Sequence, residues 1–181
     1  MAISSMKEFE AFLISEFDWG VLMEFHLALL SGMVREAHRR GKKLLFHLDL
    51  LKGISADEFG CEYACQKLMA DGIISTRPKV VETARKNRRL AILRLFLIDS
   101  RSLEKGLALC SALRPDYAEL LPGIACGILG RIREQTDVPF MCGGLLRSPE
   151  EIEACFEAGA CAVTISDRAA AEAYRKKYRE G

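Results

Sequence analysis

Paired glycines and nearby hydroxyl residues stand at the ends of apolar runs, where they could bind a phosphate group. Gly143 and Gly144 end one apolar run, and Thr164 and Ser166 end the next. Glycine lets a backbone approach a ligand closely, and helix N-termini present free N–H groups to an anion. Because each run is typical of a buried strand followed by a helix, these residues predict a site for a small phosphorylated molecule.

Charged and polar side chains interrupt other apolar runs. His47 and Asp49 lie in the run Leu44–Leu50, whose even positions are all apolar, and Arg94 and Glu119 interrupt two later runs. Because side chains alternate between the faces of a strand, His47 and Asp49 are expected on the inward face. Buried charges require partners or a bound ligand. We therefore expect a ligand site here, and an internal ion-pair cluster is the simpler alternative.

The elements that must position these residues form an alternating pattern of strands and helices. Such alternation predicts a parallel sheet with right-handed crossovers. Since no linker or low-complexity break divides residues 1–181, we predict one compact α/β domain, a (β/α)8 TIM-type barrel with a short or irregular first strand. Ligand sites of that fold lie at the carboxyl ends of the strands. The predicted strands are Ala2–Ser5, Val21–Phe25, Leu44–Leu50, Gly72–Ser75, Leu90–Leu97, Tyr117–Leu121, Val138–Cys142 and Cys161–Ser166.

Helix ends carry their own signals in this sequence. Ser55 with Glu58, and Ser148 with Glu151, have the spacing of capping boxes, in which two side chains satisfy the first free N–H groups of a helix. Gly159 stands where a helix should stop. These signals predict where the helices between the strands begin and end.

The composition narrows the function classes. The net charge of +1 predicts no general attraction to nucleic acid. No apolar run reaches the roughly 18 residues that span a membrane, and no signal peptide pattern is present, so we expect a cytoplasmic protein with no membrane partner. The seven cysteines include no CxxC pair, which favours buried reduced thiols and neither a metal site nor a cofactor.

Five short motifs occur in order between residues 41 and 167. They are Phe46–Leu50 with Gly53, Asp71–Thr76, Ile92–Ser100, Glu119 with Leu121–Ile124, and Gly143–Leu145. A Gly-Gly-Leu run alone occurs in many phosphate-binding barrels, whereas five motifs in order are specific. Together they resemble the bacterial glycerol-3-phosphate-responsive antiterminators, which regulate the glycerol uptake operon.

The resemblance implies a (β/α)8 barrel that binds glycerol 3-phosphate as its effector and binds leader mRNA. Such a protein lets transcription pass a terminator when the ligand is present, without catalytic turnover, and a homodimer is left open. The residues implied to hold the phosphate are Gly143, Gly144, Thr164 and Ser166. The residues implied to surround the glycerol end are His47, Asp49, Ser75, Arg94 and Glu119.

The chain also departs from the family pattern. Phe25-His26-Leu27 stands where the family has Gly-Asp-Ile, and Leu93 replaces a glutamine. Ile165 interrupts a Ser-Thr-Ser ending. These departures alter the wall of the site more than its phosphate end, so a relative of glycerol 3-phosphate is an alternative ligand.

RNA binding requires a basic surface, and the sequence offers two. Aromatic residues are few near both segments, which disfavours base stacking as the main contact. For a segment rich in basic residues, the common alternative to RNA binding is a charged helix face that contacts only solvent. One segment contains Arg35, His38, Arg39, Arg40, Lys42 and Lys43. The segment that we predict to bind RNA contains Arg77, Lys79, Arg85, Lys86, Arg88 and Arg89.

Two other functions compete with the antiterminator. A small phosphosugar enzyme, isomerase-like or aldolase-like, could use His47, Asp49 and Glu119 as acid–base groups, with Lys52 reaching in from beyond its strand. No strand carries the inward lysine that Schiff-base chemistry needs. A barrel that senses a metabolite and binds a protein instead of RNA is the other alternative.

Overall fold

Across residues 1–178, the part of the chain that the structure describes, eight parallel strands alternate with helices. The strand order in the sheet follows the chain order from the first strand to the last, which confirms the predicted (β/α)8 class. The structure is a computed structural model. It divides into two compact units, Met1–Leu93 and Arg94 onward. That residues 1–181 form one domain stays a prediction.

The first unit begins with a short strand and ends within a longer one. Its elements are β1 (Ala2–Ile3), α1 (Met6–Leu13), β2 (Trp19–Leu22), α2 (Leu27–Arg39), β3 (Lys43–His47), a 3-10 turn (Leu48–Leu50), α3 (Glu58–Gln66), β4 (Gly72–Ser75), α4 (Pro78–Lys86) and the first part of β5 (Leu90–Phe96).

The second unit contains the rest of β5, and strands and helices continue to alternate along it. Its further elements are α5 (Ser100–Leu113), β6 (Tyr117–Leu121), a 3-10 segment (Gly123–Ile128), α6 (Leu129–Arg133), β7 (Phe140–Gly143), α7 (Pro149–Glu157), β8 (Ala162–Thr164) and α8 (Arg168–Tyr178). Within residues 1–178, no helix has both the length and the apolar character to cross a membrane.

Strand residues pack in the core of the first unit. Leu44 and Phe46 of β3 and Ile73 of β4 are fully buried, and β3 pairs with β4 in parallel register. The carboxylate of Asp71 accepts a hydrogen bond from the Leu44 amide at 2.8 Å. The same oxygen lies 2.9 Å from Nε2 of His38 in α2, so one side chain links this helix to the sheet.

Several strands end sooner than their apolar runs. β3 stops at His47 because Leu48–Leu50 form a 3-10 turn. The expectation that Asp49 continues the alternation of β3 is therefore wrong. β8 likewise ends at Thr164, leaving Ser166 beyond the strand. Apolar residues pack equally well in a tight turn, so hydrophobicity alone does not mark the end of a strand.

One of the two predicted capping boxes is confirmed. Ser148 accepts a hydrogen bond from the Glu151 amide, and the Glu151 carboxylate accepts one from the Ser148 amide. The cap predicted from Ser55 is wrong, because Asp57 caps α3 by accepting from the Gly60 amide at 2.8 Å. Either residue type suits an N-cap, and a carboxylate directly before the helix satisfies the same free donors.

Candidate functional site

A buried ion pair joins β5 and β6 in the second unit. Arg94 donates from Nε to Oε2 of Glu119 at 2.7 Å. The Glu119 side chain is fully buried, and that of Arg94 is 11% exposed. Thr164, the last residue of β8, donates its hydroxyl to Oε1 of Glu119. Both carboxylate oxygens therefore accept hydrogen bonds, as a buried charge requires.

Gly143 lies directly against this pair. A Cβ at position 143 would lie 2.2 Å from Oγ1 of Thr164 and 2.7 Å from Oε1 of Glu119. Both distances are far shorter than any real contact of a Cβ atom. The first of the paired glycines is thus required because a hydroxyl and a carboxylate fill the space that a side chain would occupy.

The guanidinium of Arg94 is only partly used by Glu119. Its Nε makes the bond to Glu119, and its terminal nitrogens Nη1 and Nη2 make no hydrogen bond to the residues that the structure describes. Arginine carries five N–H donors in a planar fork that matches the oxygens of a phosphate or carboxylate. Arg94 is therefore held in place through one edge and keeps donors for an anion.

The loop after β7 turns sharply at two residues and bonds to a neighbouring segment through its backbone. Gly144 adopts the left-handed region with φ +79°, and Leu145 follows at φ 62°. The carbonyl of Gly144 accepts a hydrogen bond from the Gly123 amide at 3.0 Å, which ties this loop to the segment after β6. Gly144 is exposed, whereas Gly143 is buried.

The N-terminus of α7 is less open to an anion than its sequence indicates. The Glu151 carboxylate accepts from the amides of Arg147 at 2.6 Å and Ser148 at 3.2 Å, and Pro149 has no N–H to offer. The first turn of α7 therefore keeps few free N–H groups for an anion.

The two hydroxyl residues that end the last apolar run differ in position. Thr164 is buried on Glu119, whereas Ser166 is exposed beyond β8. Asp167 next to it caps α8 by accepting from the Ala170 amide at 3.0 Å. The structure thus joins Thr164, but not Ser166, to the ion pair by a hydrogen bond.

A second polar cluster lies in the first unit. Asp49 accepts from the Ser75 hydroxyl at 2.6 Å. Its other oxygen accepts from the amide and hydroxyl of Thr76, at 2.7 and 3.0 Å. These bonds fix the 3-10 turn after β3 to the end of β4. From the sequence, Thr76 was placed at the end of a motif without being given a role, although a second hydroxyl directly after Ser75 was the available signal.

His47 occupies the last position of β3 and is buried, with 2% of its surface exposed. Its burial agrees with the predicted inward position. A ligand-binding role for His47, Asp49 and Ser75 stays a prediction. Among the side chains of residues 1–178, no group of His, Cys, Asp and Glu could hold a metal ion.

The basic residues predicted to bind RNA surround α4. Arg77, Lys79, Arg85, Lys86 and Arg88 are exposed. Arg89 differs, because its guanidinium donates to the Cys65 carbonyl at 3.2 Å and is half-buried. Arg89 therefore supports the packing of α3, and the exposed residues are the better candidates for contacts with phosphates.

The comparisons with known proteins agree with the resemblance. The family described as "Glycerol-3-phosphate responsive antiterminator" matches residues 1–170. An uncharacterized protein of Escherichia coli (strain K12), YgcP, is 31% identical over 142 residues, which cover 78% of this chain and 74% of that protein.

Solved structures extend this agreement to the fold. The glycerol uptake operon antiterminator regulatory protein of Listeria monocytogenes has a TM-score of 0.89 at 36% identity, over 92% of this chain and 90% of that chain. An antiterminator-related protein of Thermotoga maritima has a TM-score of 0.81 at 26% identity, over 94% and 95%. An aldolase with a TM-score of 0.75, at 13% identity over 99% of this chain and 95% of that chain, shares the fold alone. The chain therefore belongs to the glycerol-3-phosphate-responsive antiterminator family.

Proposed function

We propose that this chain is a transcription antiterminator that binds glycerol 3-phosphate and then acts on a leader mRNA in the cytoplasm. The family match over residues 1–170 supports a regulator of this class. In this proposal the ligand is an effector, with no cofactor and no chemical conversion. The leader mRNA is the partner through which the ligand controls readthrough of a terminator.

The ligand proposal rests on Arg94, whose guanidinium donates to Glu119 through Nε alone. Glu119 orients it through Nε, and Nη1 and Nη2 remain for an anion within the described structure. A phosphate would accept from these donors in pairs, which gives direction as well as attraction. The exposed Gly144 would supply a further backbone donor, whereas Gly143, which lies within β7, is proposed to line the site.

The other ligand contacts are proposed from the family resemblance. Thr164 keeps an acceptor lone pair after donating to Glu119, and Ser166 is exposed and able to donate. His47, Asp49 and Ser75 are proposed to contact the ligand, and each is tested by its own variant. Since both oxygens of Asp49 already accept hydrogen bonds, we expect its substitution to disturb the end of β4 as well.

An enzyme remains the competing function, and the bonding of Glu119 argues against it. A general acid or base must exchange a proton with the substrate. Glu119 instead has both oxygens engaged by Arg94 and Thr164. We therefore expect glycerol 3-phosphate to be recovered unchanged after prolonged incubation with the protein, as measured by phosphorus NMR.

The ligand proposal is tested by thermal unfolding and calorimetry with glycerol 3-phosphate, glycerol and inorganic phosphate. A ligand at 100 times its Kd stabilises the folded state by about 2.7 kcal/mol. Arg94→Gln should abolish the shift that glycerol 3-phosphate causes, each variant being compared with its own ligand-free melting temperature. Arg101→Gln, an exposed arginine in α5, is the matched control and should keep the shift.

The RNA proposal is tested by transcription through the terminator of a glycerol operon leader. We expect readthrough only when protein and glycerol 3-phosphate are both present. Charge reversal of Arg85, Lys86 and Arg88 should weaken leader binding and reduce its salt dependence. Arg89 is left unchanged because it also holds α3. Ligand binding without any readthrough would contradict the antiterminator function while leaving the ligand site intact.

A further inference from the structure

Two aromatic rings are exposed on the outer face of α3. Phe59 is 76% exposed and Tyr63 is 45% exposed, whereas Cys61 and Ala64 on the other side of the helix are buried. Residues four apart lie on the same face, about 6 Å apart along the helix axis. Two exposed rings one helical turn apart present apolar surface to water, and aromatic side chains are enriched at interaction sites.

The exposed face of α3 lies beside α4. Gln66 follows Tyr63 on that face and donates from Nε2 to Oδ1 of Asn87, at the end of α4, at 2.8 Å. The Cys61 thiol lies 3.4 Å from the Val80 carbonyl of α4, which holds the inner sides of the helices together. The two rings and the outer side of α4 are therefore neighbouring parts of one surface.

This surface is basic on its α4 side. Residues 77–89 contain six Lys and Arg residues and one acidic residue, Glu82. Lys79 and Lys86 are exposed, as is Lys67 at the end of α3. Glu62, which lies between the rings along the chain, accepts a hydrogen bond from Gln66 at 2.9 Å. Positive side chains next to unpaired rings fit a partner that has both anionic groups and flat apolar groups.

We propose that α3 and α4 form an RNA-binding surface, in which Phe59 and Tyr63 stack on unpaired bases and the basic residues of α4 contact phosphates. This inference rests on the proposed antiterminator function and adds base stacking to it. Proteins recognise single-stranded RNA by stacking its bases on aromatic side chains beside a positive groove. The sequence disfavoured stacking because Phe59 and Tyr63 lie far from Arg77 along the chain.

A second copy of this chain is a less suitable partner for the same surface. In a symmetric dimer the same patch faces itself, so the basic residues of α4 would meet their own copies. Like charges brought together oppose association. RNA instead supplies phosphates for the lysines and arginines and bases for the rings.

The test measures binding of a short fluorescein-labelled single strand of the leader transcript by fluorescence anisotropy, with glycerol 3-phosphate present throughout, over a series of salt concentrations. Phe59→Ala and Tyr63→Ala should each weaken binding about tenfold, the size expected for loss of one stacked base. The slope of affinity against salt should stay unchanged, since no phosphate contact is lost. Lys86→Glu should reduce that slope.

Two further variants separate stacking from general apolar contact. Phe59→Trp should retain the affinity because a flat ring remains, and Phe59→Leu should lose it although an apolar side chain remains. Ile14→Ala is the matched control, since Ile14 is also 76% exposed in the first unit, and it should bind RNA like the wild type.

Three results would overturn the proposal. If the wild type binds the strand and the ring variants bind equally well, the stacking surface is wrong and the antiterminator function stands. If the wild type binds no RNA, both are wrong. If light scattering shows a wild-type dimer that Phe59→Ala dissociates, with RNA affinity unchanged, this surface joins two copies of the chain instead.

Discussion

At the scale of single residues, the ion pair of Arg94 and Glu119 organises the candidate site. Glu119 accepts from Arg94 on one oxygen and from Thr164 on the other, so the arginine is oriented before any ligand arrives. Orienting a donor in advance removes part of the entropy cost of binding. The sequence alone identified Arg94, Glu119 and Thr164 as candidate site residues. Their partners were not predictable, because spacing along a strand does not show which side chains meet across strands.

Replacement of Gly143 by alanine should destabilise the protein. The new Cβ would overlap Thr164 and Glu119, and overpacking of this kind costs about 1–3 kcal/mol. Urea denaturation measures the loss. Gly127→Ala is the control, since nothing lies within 4 Å of a Cβ at that position. Equal stability of Gly143→Ala and the wild type would contradict the close approach described at position 143.

Removal of the Glu119 carboxylate should also destabilise the protein, because it leaves a nearly buried arginine without its partner. Breaking a buried ion pair from one side costs about 3–5 kcal/mol. Glu172→Ala breaks the exposed pair with Arg168 and should cost at most about 1 kcal/mol. Similar free energies of unfolding for Glu119→Ala and Glu172→Ala would show that Arg94 does not depend on Glu119.

At the scale of elements, the ends of strands and helices decide where the polar groups lie. The sequence predicted β4 and β6 with their observed bounds, since turn residues or charges flank both apolar runs. It extended β3 through Leu50, because the turn Leu48-Asp49-Leu50 keeps the alternation of apolar and polar residues that is typical of a strand. Asp49 consequently lies in a turn and bonds to Ser75 and Thr76.

The cap of α3 gives a direct test at this scale. Asp57→Ala should destabilise the protein by about 1 kcal/mol, because the Gly60 amide loses its acceptor. Ser55→Ala should have little effect, although the sequence favours Ser55 as the cap. Thermal unfolding of the two variants measures the difference, and a larger loss for Ser55→Ala would show that the sequence was correct.

At the scale of the whole molecule, burial controls the reactivity of the free thiols. Cys161 is exposed, whereas the other six cysteines are buried. Burial raises the pKa of the Cys110 thiol to about 11 and also raises the pKa values of Cys126 and Cys161. Since the thiolate is the reactive form, a raised pKa lowers the reactive fraction at neutral pH.

We therefore expect iodoacetamide to modify Cys161 alone in the folded protein, and to do so faster as the pH rises toward the pKa. Mass spectrometry of the intact protein counts the modified thiols. Cys161→Ser should remain unmodified until denaturant is added. Rapid modification of several thiols in the native Cys161→Ser variant would show that the folded interior opens more readily than its burial indicates.

The close packing at Gly143 also predicts how related sequences should vary at this position. In a related sequence that packs glutamate at position 119 and threonine at position 164 as this chain does, any side chain at position 143 would overlap with them. The three positions are therefore expected to change together during evolution, with alanine at 143 accompanied by a shorter residue at 119 or 164. A sequence without a structure could then be sorted by the residues at these three positions, according to whether it keeps the hydrogen bonds among Arg94, Glu119 and Thr164.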